Sequence, residues 1–207
     1  SGICEPYCLI TPDLTMRYCP ILILIDYISG HPDLQHSLAN AEILAEVEKS
    51  LLQAEIRKLD ALYPNRRFDI AAEQDALLKA DVIVLQFPFS WYSVPGLMKL
   101  WIDEVFVHGF AHGSTAKLGG KKLIVSFTTG APAALYQKDG FFKHSVEDYL
   151  PQFETFAALC GLDYQQPVYT CGIGYTDRDN EEAVNAQKQQ AREHAARLVA
   201  QIKAAAA

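Results

Sequence analysis

The chain has 207 residues, half of them apolar, and a formal net charge of -7. That length supports one substantial core and favours one domain. An acidic balance with no run of Lys or Arg argues against a nucleic-acid surface. No apolar run is long enough to cross a bilayer, and Ser1 to Pro20 lacks the basic start and long apolar middle of a secretory signal, so a cytoplasmic protein is the default expectation.

Residues 1–20 show neither a helical nor a strand period and read as an N-terminal extension, with Met16 a candidate natural start. Cys4, Cys8 and Cys19 fall there without a His or a fourth Cys at ligand spacing, so no metal site is expected. The remainder, 21–207, reads as one domain. Ile21 to Ile25 is the first buried strand, followed by a loop through Ser29-Gly30-His31-Pro32 to Ser37. A helix then runs from about Leu38 into Leu51-Leu52, with Ile43, Leu44, Val47 and Leu51 on one face. Its start offers N–H groups and the positive end of a dipole, an anion site in outline to which Ser37 and Asn40 add donors. Ser37 equally fits a plain helix cap. Neither a dinucleotide fingerprint nor a P-loop is present.

Glu55 to Leu59 is a weaker strand, and a short helix runs from about Asp69 to Ala80. Val82 to Leu85 is a strand apolar enough for burial on both faces, ended by Pro88. Phe89-Ser90-Trp91-Tyr92-Ser93 then makes an aromatic loop, and Pro95 opens a helix with Leu97, Leu100, Trp101, Val105 and His108 on one stripe. Lys121 to Thr128 is the fourth strand, ending in Thr129-Gly130-Ala131-Pro132, and 133–142 is a loop and candidate cover carrying Tyr136. A helix over about Ser145 to Cys160 is broken or delayed by Pro151 and stopped by Gly161. Asp163 to Cys171 is the fifth strand, and a last helix spans about Asn180 to Lys203, with Ala204 to Ala207 expected to fray. Cys160 and Cys171 read as small core residues.

Five alternations of strand and helix predict an α/β, doubly wound, five-stranded parallel sheet of order 2-1-3-4-5. Its ligand is expected at the switch point between the first and third strands. Aromatic rings on the loop after the third strand suit a flat ligand there, although Trp91 and Tyr92 also fit as plugs over the core.

The stretch Gln86 to Asp103, QFPFSWYSVPGLMKLWID, resembles the flavodoxin-like NAD(P)H:quinone oxidoreductases. This group includes quinone reductases, modulator-of-drug-activity proteins and ancillary oxidoreductases of potassium-efflux systems. The similarity runs from Ile21 to Cys171 and includes His31-Pro32 with Ser37 and Asn40, Asp69 to Gln74, Phe110-Ala111 with Gly113, and Thr128-Thr129-Gly130. The resemblance implies that His31, Ser37 and Asn40 contact the phosphate and ribityl chain of FMN or, alternatively, FAD, with Gln74 nearby. It implies that Pro88, Phe89, Ser90, Trp91 and Tyr92 frame the isoalloxazine, and that Thr128, Thr129 and Gly130 bond its polar rim. Tyr136 is implied over the reacting face as a catalytic group, and the amides of the Thr129-Gly130 loop are placed to stabilise negative charge on the reduced ring.

Three positions depart from the family pattern. Ala131 replaces a loop glycine, Phe142 stands where a histidine is usual and leaves His144 as the nearby imidazole, and His112 replaces a tyrosine that reaches the neighbouring subunit. The first loop, Asp26 to Gly30, also reads as longer than usual. The implied activity is a ping-pong two-electron reduction of a quinone or similar electrophile by NAD(P)H. A homodimer with a shared site, Phe106, Phe110 and His112 near its interface, is implied as well. The alternatives are a flavin-binding regulatory subunit in peripheral contact with a membrane potassium-efflux transporter, and a one-electron carrier, which the mixed charges along the chain disfavour.

Overall fold

The computed structural model describes residues 22–207, so the expectations for the N-terminal extension, Met16, Cys4, Cys8 and Cys19 lie outside the described residues. β3, Val82–Pro88, is the middle of the sheet and pairs in parallel with β1, Ile25–Ser29, and with β4, Lys122–Thr129. β2, Ala54–Lys58, extends the sheet beyond β1. On the other side, β5, Asp163–Tyr164, and β6, Val168–Cys171, both pair with β4. The order is β2-β1-β3-β4-β5, as the alternation predicts, with β6 also on β4.

Side chains alternate along β3, so Val82 and Val84 face one layer of helices and Ile83, Leu85 and Phe87 the other. On the first face, α1 (Ala39–Ser50) and α6 (Glu181–Ala206) bring Ile43, Leu44, Val47, Leu198 and Ile202 against Tyr27, Val84 and Ile124. On the second, α3 (Ile70–Lys79), α4 (Gly96–Val105) and α5 (Pro151–Cys160) supply Leu77, Leu97, Met98, Trp101 and Phe153. A one-turn helix, α2 (Leu59–Leu62), follows β2.

Several expectations need correction. The first strand is Ile25–Ser29, displaced from the apolar run 21–25; Leu22 and Leu24 are exposed. Asp26 therefore lies inside a strand and is 1% exposed, and the loop read as starting there begins at Gly30. Its carboxyl is pushed up to about 8, first by burial and then by Glu73, so it is neutral at pH 7 and does not terminate the strand as an ionised aspartate would. On α4, the apolar stripe is Leu97, Met98, Trp101 and Val105; Leu100 is exposed, and His108 lies past the helix end, exposed, against His112. The fifth strand is split by Gln165-Gln166-Pro167, because proline lacks the N–H a ladder needs. The last helix continues to Ala206, where Ala205 and Ala206 pack against the first core layer instead of fraying.

Candidate functional site

The loops after β1, β3, β4 and β6 leave the same edge of the sheet, and between them lies a cleft of about 210 Å³. It is lined by His31, Ser37, Asn40, Pro88, Phe89, Thr128 and Gly130, together with Leu38, Ala39, Ile173, Gly174, Tyr175 and Arg178. A larger groove, about 580 Å³, runs over the other side of α1, but Asp33, Glu48 and Asp60 line it and its lysine, Lys58, is paired with Glu48 at 3.1 Å, so it disfavours anions. The smaller cleft sits at the switch point, where doubly wound sheets receive ligands.

One end of the cleft suits an anion. Helix α1 starts there, and its first-turn N–H groups have no partners within the helix. The Ser37 hydroxyl oxygen accepts from Asn40 N–H at 3.0 Å, so Ser37 does cap the helix, and its own hydrogen stays available. Arg178 stands over the Tyr175 ring at 4.0 Å and donates from Nη1 to the His36 carbonyl at 2.9 Å. Its remaining guanidinium hydrogens have no partner among the described residues. His31 is buried, and its Nδ1 accepts from Asp33 N–H at 3.0 Å, so Nε2 carries the hydrogen and reaches Tyr175 Oη at 3.3 Å. Burial lowers its pKa, so His31 is a neutral wall of the cleft and not a second cation.

The other end is flat and apolar. Phe89 lies parallel to Phe127 at 4.1 Å between ring centres, and Phe127 stacks in turn with Phe87 and Tyr169. Pro88 and Phe89 thus present a wall held rigid from behind. Gly130 packs beside Gly174 at the rim; a Cβ on Gly130 would lie 3.8 Å from Gly174 Cα. Ala131, in place of a glycine, keeps an ordinary negative φ, so the loop does not require glycine there.

The remaining sequence-predicted residues fall elsewhere. Ser90 and Ser93 exchange backbone hydrogen bonds at 2.9 and 3.2 Å around a two-residue turn, with Trp91 and Tyr92 left-handed at φ 49° and 67°. Glycine or asparagine normally fills such positions, and bulky residues there are strained. Neither ring plugs the core: Trp91 is 91% exposed, and Tyr92 stacks on Tyr149 at 5.3 Å. Tyr136 is buried beside Phe142 and Tyr149 in this same aromatic group, next to the cleft and not in its wall. Burial raises the Tyr136 pKa, so the phenol keeps its hydrogen at neutral pH. Thr129 is buried and donates to the Ala131 carbonyl at 2.8 Å, outside the cleft. The structure does not bring Gln74 to the cleft; its amide donates to the Val105 carbonyl at 3.0 Å and ties α3 to the end of α4. Phe142 and His144 stay with the aromatic group, His144 exposed and 3.6 Å from Asp148.

Sequence reasoning missed Ile173, Gly174, Tyr175 and Arg178. They follow β6, so their arrival at the α1 start depends on the sheet order, and the motif Arg178-Asp179-Asn180 reads locally as an ordinary turn before a helix.

Comparison with known proteins agrees with this geometry. General stress protein 14 from Treponema denticola, solved in complex with FMN, is 32% identical over 86% of this chain and 99% of that one, with a TM-score of 0.76. A structure named as a thermophilic tryptophan halogenase from Streptomycin violaceusniger is 30% identical over 83% and 97% of the two chains, with a TM-score of 0.70. An NADPH-quinone reductase from P. pentosaceus is 27% identical over 82% and 98%, with a TM-score of 0.66. The names differ in chemistry, and what the three share with this chain is the fold. The family described by a flavodoxin-like fold matches residues 25–195, nearly the whole described chain, and this protein belongs to it.

Proposed function

We propose that the protein is an FMN-dependent oxidoreductase that passes hydride from NAD(P)H to a quinone or a related electrophile. One observation carries this reading: an anion-ready helix start with Arg178 and a stacked, flat aromatic wall share one cleft at the switch point. A flavin mononucleotide has a phosphate for the first and a planar ring for the second. The FMN complex of general stress protein 14 and the names of the quinone-reductase neighbours support the same reading.

The fit can be assigned residue by residue. Ser37, the first-turn amides of α1 and the Arg178 guanidinium would hold the phosphate, the strongest bonds being those with Arg178. Pro88 and Phe89 would bear on the ring, and Thr128 and the Gly130 amide would meet its polar edge. Bound FMN supplies a two-electron acceptor that exchanges hydride with nicotinamides and quinones. The chain's contribution is placement, exclusion of water by the Phe89–Phe127 stack, and donors aimed where negative charge develops. Tyr136, protonated and packed against Phe142 and Tyr149, would donate a hydrogen bond to a substrate entering beside Tyr92.

An equilibrium titration with FMN and, separately, FAD tests the binding half. FMN is expected to bind, and Arg178→Met is expected to weaken it about tenfold through loss of a charged phosphate contact. An unchanged affinity in Arg178→Met would remove Arg178 from the site, and no FMN binding by the unmodified chain would overturn the reading.

A further inference from the structure

Beneath the cleft, one layer into the sheet, runs a chain of buried polar groups that ends on α6. Asn40 Nδ2 donates to Thr128 Oγ1 at 3.1 Å, and Gln86 Nε2 donates to Asn40 Oδ1 at 2.9 Å. Gln86 Oε1 accepts from Tyr27 Oη at 3.2 Å and from Ser126 Oγ at 2.5 Å. Ser126 Oγ lies 2.7 Å from His194 Nε2, and Thr170 Oγ1 lies 2.9 Å from His194 Nδ1. Arg197 closes the chain by donating to Thr170 Oγ1 at 2.6 Å. Tyr27, Ser126 and His194 are fully buried, so each hydrogen must find an acceptor within the protein.

That requirement gives the chain a direction. Gln86 is the partner of the Tyr27 hydroxyl among the described residues. With the Gln86 oxygen facing it, the hydroxyl donates and is satisfied; with the amide reversed, its hydrogen would be buried without an acceptor. Ser126 must then donate to the same oxygen and can only accept from His194, so Nε2 carries the histidine hydrogen. The far end completes the same pattern. Thr170 takes a hydrogen from Arg197 and gives its own to a bare Nδ1. Burial, followed by Arg197, pushes the His194 pKa down to about 3, which keeps the ring neutral with one hydrogen to place.

We propose that His194 is a positioning residue that, together with Tyr27, sets the hydrogen-bond polarity of the cleft floor. Its Nε2–H, relayed by Ser126 and Gln86, holds the Asn40 amide with its oxygen inward and its nitrogen on Thr128. The second Asn40 hydrogen and the Thr128 hydroxyl hydrogen are then both left for the cleft. In the opposite polarity Asn40 would turn its oxygen to Thr128 and take that hydrogen, so the floor would lose donors to an anionic or carbonyl group. This role rests on the FMN reading above for its ligand, whereas the polarity itself is a property of the protein alone.

Nitrogen-15 NMR of uniformly labelled protein without ligand tests the polarity. The Nε2–H tautomer is expected for His194, and Ser126→Ala is expected to shift the Asn40 side-chain amide resonances; an Nδ1–H tautomer, or Asn40 signals that ignore Ser126→Ala, overturns the proposal. FMN titrations test the consequence. Ser126→Ala and His194→Met should each weaken binding about tenfold, while His194→Gln, which keeps a donor in the place of Nε2, should stay within about threefold of the unmodified chain. A His194→Met protein that is less stable but binds FMN normally would make the residue merely structural. Should His194→Met fail to fold, Ser126→Ala, which deletes a single oxygen, decides. If the unmodified chain binds no FMN, the proposed function fails, and the NMR results still decide the polarity.

Discussion

Replacing Arg57 by Met is expected to lower the free energy of unfolding by about 3–5 kcal/mol, read from urea or guanidinium unfolding at pH 7. Glu73 on α3 has no solvent exposure, and its carboxylate accepts from Arg57 Nη2 at 2.5 Å, from Arg57 Nε at 2.9 Å and from Tyr63 Oη at 2.6 Å. Removing the guanidinium leaves one hydroxyl to compensate a charge held out of water. The joint replacement Arg57→Met with Glu73→Leu should recover part of the loss, since no charge is then left uncompensated and only the Tyr63 hydroxyl is left without its acceptor. A loss below about 1 kcal/mol in Arg57→Met would show that water reaches Glu73.

The second large effect has the opposite sign and arises from the same cluster. Asp26 lies on β1 opposite Glu55, and neither of its carboxyl oxygens has a hydrogen-bond partner among the described residues. Its pKa is raised from 3.8 to about 8 by burial first, then by Glu73, with Arg57 pulling it down and Glu55 pushing it up. The folded chain therefore holds a proton that the unfolded chain releases between about pH 4 and pH 8. Stability from this group is fully present below the unfolded value and is lost as pH rises through the folded one. Asp26→Asn removes that dependence. The variant should match the unmodified chain near pH 4, gain on it steadily with rising pH, and level off above about pH 8 with an advantage of roughly 3–6 kcal/mol. Parallel stability–pH curves for the two proteins would contradict it.

Asp26 also explains where the sequence misled. The sheet order, β3 with its apolar residues on both faces, β4 and the helix opened at Pro95 were all legible, because local pattern and tertiary burial agree there. At β1 they conflict. An aspartate reads as the end of a strand, and only its desolvated, protonated state lets it sit inside one. Half of the cleft was legible, from the resemblance together with the strand order: His31, Ser37, Asn40, Pro88, Phe89, Thr128 and Gly130 lie at strand ends, in the loops after them or at the start of α1, all on one edge of the sheet. Gln74 could not be placed, since its partner is a carbonyl on another helix. Tyr175 and Arg178 reach the cleft only because β6 pairs beside the end of β4, a register that Gln165-Gln166-Pro167 does not disclose. The left-handed Trp91 and Tyr92 are invisible to pattern reading, which assigns such a turn to glycine or asparagine.

Whether this cleft is a flavin site that passes hydride is tested most directly by the visible spectrum of protein purified with FMN. The spectrum is recorded anaerobically, again after NAD(P)H, and again after a simple quinone. Bound flavin that bleaches with the nicotinamide and recovers with the quinone is the expected result. Flavin that stays oxidised, or a protein that takes up none, would contradict the proposed oxidoreductase.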